Sequence, residues 1–260
     1  LFGFGYFVSN LYWISISLTF DQNFKFLIPF TIFLIPAFLA LFYGLVAYLF
    51  VVLKPNKNLS SFFLFSLIFG IVEFIRGSIL TGFPWNLIAY SFSNQIEILN
   101  ITSIIGTYSF NLFCISLFAS TSFLIFRDSK KEIIVSILFL LITISFYLFG
   151  SQRLEKFKNI EAKNLNYKIR VISSNVSIDR FYRDTDPTSV IKDLIKISSP
   201  LNDEKTIFIW PEGILPTISK DQLKEYKFLF ENEFNENHIL SIGINEIKKE
   251  GQIIKYFNSF

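Results

Sequence analysis

The sequence has 260 residues, 52% of them hydrophobic, and a mean hydropathy of +0.47. That is too apolar for an ordinary soluble domain, and a net charge of +3 spread along the chain gives no basis for binding nucleic acid. A single cysteine excludes a disulfide within the chain and any cysteine cluster for a metal.

The first half reads as membrane-spanning. Residues 1–20 carry no charge, and a bilayer core is crossed by about 20 helical residues. A polar break, Asp21 to Lys25, leads to a second uncharged run over 26–53, in which Pro29 and Pro36 are tolerable where neighbouring helices satisfy freed backbone groups. Lys54 to Asn58 closes it. A third span is expected from about Leu59 to Leu80, with Glu73 and Arg76 at i,i+3 on one helix face. That pair is either a salt bridge that steadies the helix end or a grip for a lipid headgroup phosphate. Thr81-Gly82-Phe83-Pro84-Trp85 is a turn with an aromatic anchor, and Trp85 fits an interfacial belt. Uncharged runs over 98–126 and 133–150, parted by the charged stretch Arg127 to Glu132, make five expected spans. Cys114 lies midway along the fourth, where a thiol stays protonated and is a poor nucleophile.

Only seven of the 24 Lys/Arg and five of the 21 Asp/Glu fall before Gly150. The expected division is therefore 1–150, a transmembrane bundle, and 151–260, a water-soluble domain. Lys54, Lys57, Arg127, Lys130 and Lys131 fall on one side, which the positive-inside rule makes cytoplasmic. The soluble part is then extracytoplasmic.

That part alternates strand and helix. Ile169 to Val176 reads as a strand. Asp186-Pro187 is an N-cap with proline at the first helical position, opening a helix that Ser198-Ser199-Pro200 ends. Thr206 to Trp210 is a second strand with the β-branched and aromatic character of one buried on both faces, and Pro211 must end it. A Lys/Glu-rich helix is expected over about 219–233, then strands over 239–244 and 252–260 joined by a polar turn, Asn245 to Gly251. Glu212 sits just past a strand's carboxyl end, the rim where open α/β sheets bind ligands. It is either a solvated loop acid or, crowded by Trp210 and Ile214, a partly desolvated general base. His238 has no metal-ligand neighbours in sequence and reads as structural, and the residues imply neither metal nor cofactor.

The stretch Trp210-Pro211-Glu212, with Pro216 after it, resembles the first catalytic motif of the nitrilase superfamily. Glu73-Phe74-Ile75-Arg76-Gly77, Gly82-Phe83-Pro84-Trp85 and Ala89-Tyr90-Ser91 resemble the membrane part of the apolipoprotein N-acyltransferase family. Gly3 to Phe7 with Leu11-Tyr12-Trp13 fits an earlier helix of it. The resemblance implies an α-helical transmembrane bundle followed by a partial α/β nitrilase-like domain, an αββα sandwich. It implies Glu212 as the base that deprotonates a cysteine thiol, a lysine that stabilises the oxyanion, and a thioester acyl-enzyme. The acyl donor is then a membrane phospholipid. The acceptor is the amino group of a diacylglyceryl-modified apolipoprotein, and the setting is the periplasmic face of the inner membrane.

The resemblance also implies that the loop Thr81 to Trp85 lines a substrate entrance. Near the first strand the pattern departs. Ser174 stands before Asn175 where the family carries glutamine, and Phe181-Tyr182 stands near its Lys-Trp pair. Tyr182 is an aromatic wall for an acyl chain or an ordinary surface tyrosine. No cysteine follows Glu212, and Lys248, Lys249 and Lys255 read as turn and strand-edge charges. The chain opens on Leu1 inside an apolar run and is expected to be an internal stretch of a longer protein, with the lysine and cysteine beyond Phe260 and no acyltransferase activity by itself. The competing readings are a membrane-tethered carbon–nitrogen hydrolase and a transporter-like protein in which the Trp-Pro-Glu is incidental.

Overall fold

The computed structural model describes residues 1–53, 55–79, 82–126, 129–160, 166–173, 186–215, 218–250 and 253–259. They form two compact units, Leu1–Glu161 and Ala162–Phe260.

The first unit is helical. α1 (Phe2–Leu11) packs on α2 (Ile28–Leu53), where Gly3 lets the backbone press on Tyr43: a Cβ there would stand 2.8 Å from the tyrosine Cβ. Phe7, Leu11, Leu39 and Tyr43 form the core of that contact. Residues 1–20 are not one helix, as expected from their apolarity. After Leu11 the chain tightens into a 3-10 segment, Tyr12–Thr19. Its hydroxyls donate three residues back, Ser15 to Tyr12 O (2.6 Å), Ser17 to Ile14 O (2.7 Å) and Thr19 to Ile16 O (2.7 Å). Such local bonds compete with regular α-helical pairing.

α3 (Asn58–Ser78) packs on α6 (Thr107–Ser120), with Gly70 and Gly77 of α3 facing Leu112 and Tyr108. Small residues let membrane helices approach closely without a hydrophobic drive between them. Short helices α4 (Ile96–Leu99) and α5 (Thr102–Ile105) precede α6, so the expected run over 98–126 breaks at Gly106, whose φ of 77° only glycine adopts readily. α7 (Lys130–Lys158) opens with a capping box between Ser129 and Glu132 and runs past Gly150, where a Cβ would collide with the Glu97 carbonyl oxygen of α4. Cys114 is fully buried with Leu87, Ala89 and Phe110.

Among the described residues four helices are long and apolar enough to cross a membrane, Gln22–Leu53, Asn58–Ser78, Thr107–Leu124 and Lys130–Lys158. The fifth expected span is the divided run at residues 1–20.

The second unit is α/β. β1 (Lys168–Val171), β2 (Thr206–Trp210) and β3 (His238–Ile242) form a parallel sheet with β2 central. α8 (Pro187–Ser198) begins as its sequence says: the Asp186 side chain accepts the Thr188 N–H at 3.0 Å and Pro187 fills the first turn. It ends at Ser199, which takes a left-handed φ of 45°. Phe208 and Trp210 of β2 are buried with Ile191, Leu194 and Ile195 of α8 and with Ile214, Leu215 and Ile218. Full burial contributes about 2 kcal/mol or more per side chain of this size.

The other face of β2 is only half covered at Ile207 and Ile209, and Ile169, Val171 and Ile239 beside it are exposed. β2 is thus packed on one face, not on both. The expected second helix is shorter, a 3-10 turn at Gln222–Tyr226 followed by α9 (Lys227–Glu231). The expected polar turn from Asn245 is instead mostly a strand: β4 (Ile244–Glu250) pairs antiparallel with β5 (Ile253–Ser259).

Candidate active site

Pro211 ends β2, and the chain turns through Glu212 and Gly213, whose φ of 65° is left-handed. Buried Ile214 and Leu215 then anchor it. Glu212 therefore stands beyond the carboxyl end of the central parallel strand, the position the sequence assigns it.

Of the two settings open to it, the structure shows the solvated one. Trp210 is tied into the helix-covered core by its indole N–H, which donates to Ser198 Oγ at 3.0 Å, and Ile214 is buried with it. The turn takes Glu212 out of that layer, so its carboxylate is exposed among the described residues and accepts a hydrogen bond from Asn258 Nδ2 of β5. Beneath it lies Gly243, between β3 and β4, where a Cβ would come within 2.7 Å of the Glu212 Cα. One strand along, Glu246 accepts from Ser259 Oγ at 2.9 Å and pairs with Lys220 and Lys248. The Ser259 hydroxyl and these cations hold the Glu246 carboxyl below its ordinary range.

Asn258 and Gly243 escaped the sequence reading. Asn258 is 46 residues from Glu212 and looked like any strand polar residue. A glycine between two strand-like runs was the one available signal of close approach.

In the helical unit, Arg76 is almost wholly buried. Nε and Nη2 bond the two oxygens of Glu73 at 3.1 and 2.8 Å, and Nη1 donates to the carbonyls of Phe83 (2.7 Å) and Trp85 (3.0 Å). Four of the five guanidinium N–H groups are thus committed to the chain itself. Of the two roles open to it, the geometry favours an internal brace over a phosphate grip.

The braced loop carries Trp85, half-exposed and stacked on Trp13 with ring centroids 5.1 Å apart. The two indoles, Phe83, Phe20 and Ile35 line an apolar groove of about 600 Å³. Asn86, next in the loop, has a left-handed φ of 58°, and its carbonyl accepts from the Tyr6 hydroxyl at 2.9 Å. Tyr182 lies outside the described residues. His238 is a local tie: Nδ1 accepts from Asn235 N at 3.1 Å, and Nε2 lies 3.0 Å from the Leu201 carbonyl.

Residues 1–121 match the family described as Apolipoprotein N-acyltransferase N-terminal domain. This part of the chain is similar to that family. The relatives extend the likeness through the second unit. A Rickettsia typhi protein named apolipoprotein N-acyltransferase is 28% identical over 264 residues, covering 100% of this chain and 51% of its own length. One from Brucella melitensis is 26% identical over 99% of this chain and 49% of its own length. A Bradyrhizobium diazoefficiens protein of the same name is 30% identical over 83% of this chain and 41% of its own. The chain spans about half the length of the curated relatives it matches. The buried Glu73–Arg76 pair and the Trp85 loop lie inside the stretch that the family matches; Glu212 lies in the region that only the relatives cover.

Proposed function

We propose that the whole protein N-acylates the amino-terminal, diacylglyceryl-modified cysteine of apolipoproteins, with a membrane phospholipid as acyl donor. The observation that carries this reading is the pairing of a family-matched membrane unit with a carboxylate at the end of a central parallel strand, in relatives' order. Glu212 acts as general base. It takes the proton of a cysteine thiol from the part of the protein after Phe260, and the sulfur attacks the donor's ester carbonyl. The C–S bond forms, the ester C–O bond breaks, and the proton leaves with the lysophospholipid. The acceptor amine then attacks the thioester: C–N forms, C–S breaks, and Glu212 carries the amine proton back to sulfur. A lysine from the same later segment stabilises the oxyanion in both steps.

The uncovered face of Ile169, Val171, Ile207, Ile209 and Ile239 supports a sandwich, since a second layer would bury it. Trp85 with Trp13 is the lipid-facing wall of the entrance, Arg76 holds that wall in shape, and Tyr182 borders the acyl site. By the positive-inside rule the turns carrying Lys57, Lys130 and Lys131 face the cytoplasm, so the soluble unit works at the periplasmic surface of the inner membrane.

The test is Glu212→Gln in the full-length protein, assayed for transfer from a labelled phospholipid to a diacylglyceryl peptide, with water as competing acceptor. Loss of transfer with retained folding is expected. Wild-type turnover in this variant would refute the role of Glu212, and release of free fatty acid in place of N-acyl peptide would point to a hydrolase.

A further inference from the structure

We infer that Asn258 and Gly243 are positioning residues for Glu212, one holding its carboxylate and the other making room for its backbone. The inference rests on the reading of Glu212 as the general base. Asn258 Nδ2 donates to Oε1, which leaves Oε2 as the oxygen free to take a proton. An amide donor on one oxygen restricts a side chain that would otherwise sample several rotamers in solvent.

Gly243 does the complementary job. Its φ is not left-handed, so the requirement is space: any Cβ would press within 2.7 Å of the Glu212 Cα and 3.1 Å of its N, backbone atoms that have no rotamer to yield with. The two residues belong to one device. β4 begins at Ile244, directly after Gly243, and its second residue, Asn245, is the cross-strand partner of Asn258. Asn245 is itself fixed by a bridge to Ser219 and by accepting the Lys220 N–H at 2.8 Å. The floor under Glu212 and the arm that reaches its carboxylate are thus set by a single hairpin register.

The charges on the neighbouring elements include Glu246 and Lys248 on β4, Lys255 on β5 and Lys220 after β2. Of these, Glu246 is engaged with Ser259, Lys220 and Lys248.

The experiment uses the full-length protein, a labelled phosphatidylethanolamine/phosphatidylglycerol donor in detergent and a diacylglyceryl-cysteine peptide, with kcat and KM followed against pH. Asn258→Leu and Asn258→Asp keep the size and remove the donor. Because Asn258 is exposed, neither should disturb folding, which thermal unfolding checks. The expected result is a roughly tenfold fall in kcat at neutral pH with KM unchanged. Gly243→Ala should lower kcat similarly.

Unchanged kinetics in the Asn258 variants, or a rise in KM with kcat unchanged, would overturn the positioning role while an inactive Glu212→Gln leaves the base assignment standing. An active Glu212→Gln would overturn both.

Discussion

Replacing Arg76 by methionine tests whether the membrane unit is held by an internal brace. The substitution keeps most of the apolar stem but removes four hydrogen bonds, two to Glu73 and one each to the carbonyls of Phe83 and Trp85. Leaving a buried carboxylate without its cation costs about 3–5 kcal/mol, and each carbonyl left dry adds on the order of 1 kcal/mol. Arg76→Met should therefore be among the most destabilising single changes in this unit. Glu73→Gln/Arg76→Met should be less destabilised than Arg76→Met alone, because the double variant leaves no uncompensated charge.

Equilibrium unfolding of the detergent-solubilised protein by increasing SDS measures all four corners of that cycle. A second signal comes from the Trp13–Trp85 stack: with centroids 5.1 Å apart, the rings should give a coupled near-UV dichroism band that fades when the loop loses its brace. Strictly additive singles, or an Arg76→Met protein within about 0.5 kcal/mol of wild type, would show that the pair carries no structural coupling. A fully retained indole band in Arg76→Met would show that the loop does not depend on it.

Two further outcomes follow from the geometry. Gly150→Val drives a side chain into the Glu97 carbonyl oxygen at the crossing of α7 over α4. The helices must part, at a cost of about 1–3 kcal/mol, and the detergent unfolding midpoint should fall, whereas Gly44→Val, at a glycine with open space around its Cβ position, should not share that loss. Glu246 titrates below its ordinary value of 4.5 because the native hairpin favours its charged form. Its contribution is therefore complete above that value and is lost as pH falls through the lower native one. Hydrogen exchange of β4 and β5 amides should distinguish wild type from Glu246→Gln at pH 6 and cease to do so near pH 3; a difference that persists in acid would contradict the assignment.

The elements legible in the sequence were those marked by local chemistry. β2 ends where Pro211 removes a donor, and α8 begins where Asp186 caps it, because both signals act within a few residues. β4 escaped because its Lys248 and Glu246 lie among residues that read as a solvated turn; its regularity comes from cross-strand pairing to β5, which no local pattern encodes. The first apolar run misled in the opposite way. Hydropathy reports on burial in lipid, not on winding, and the i−3 bonds of Ser15, Ser17 and Thr19 divide a stretch whose composition is uniform. The site shows the same split. The place of Glu212 was set by Pro211 beside it, while its solvation stayed open between two readings because Trp210 and Ile214, near in sequence, pack into the layer under α8 and the partner Asn258 arrives from a distant strand.

With four long apolar helices in place of five among the described residues, the relation between the basic turns is unchanged, and the reason is geometric. The basic turn between α2 and α3 and the one between α6 and α7 are separated by two crossings, α3 and α6, whatever residues 1–20 do. Their neighbourhood is direct: Asn58, at the start of α3, donates through Nδ2 to the carbonyl of Phe126 at 3.1 Å, just before the second turn. Both turns thus lie at one end of the helical unit, and their lysines act together on one membrane surface rather than cancelling across it. The Glu73–Arg76 brace sits at the other end of α3 and contributes no free cation there, since its charge is neutralised within the pair. Arg76 thus weighs less against the basic turns than a bare count of Lys and Arg suggests, because its charge is already spent on a carboxylate.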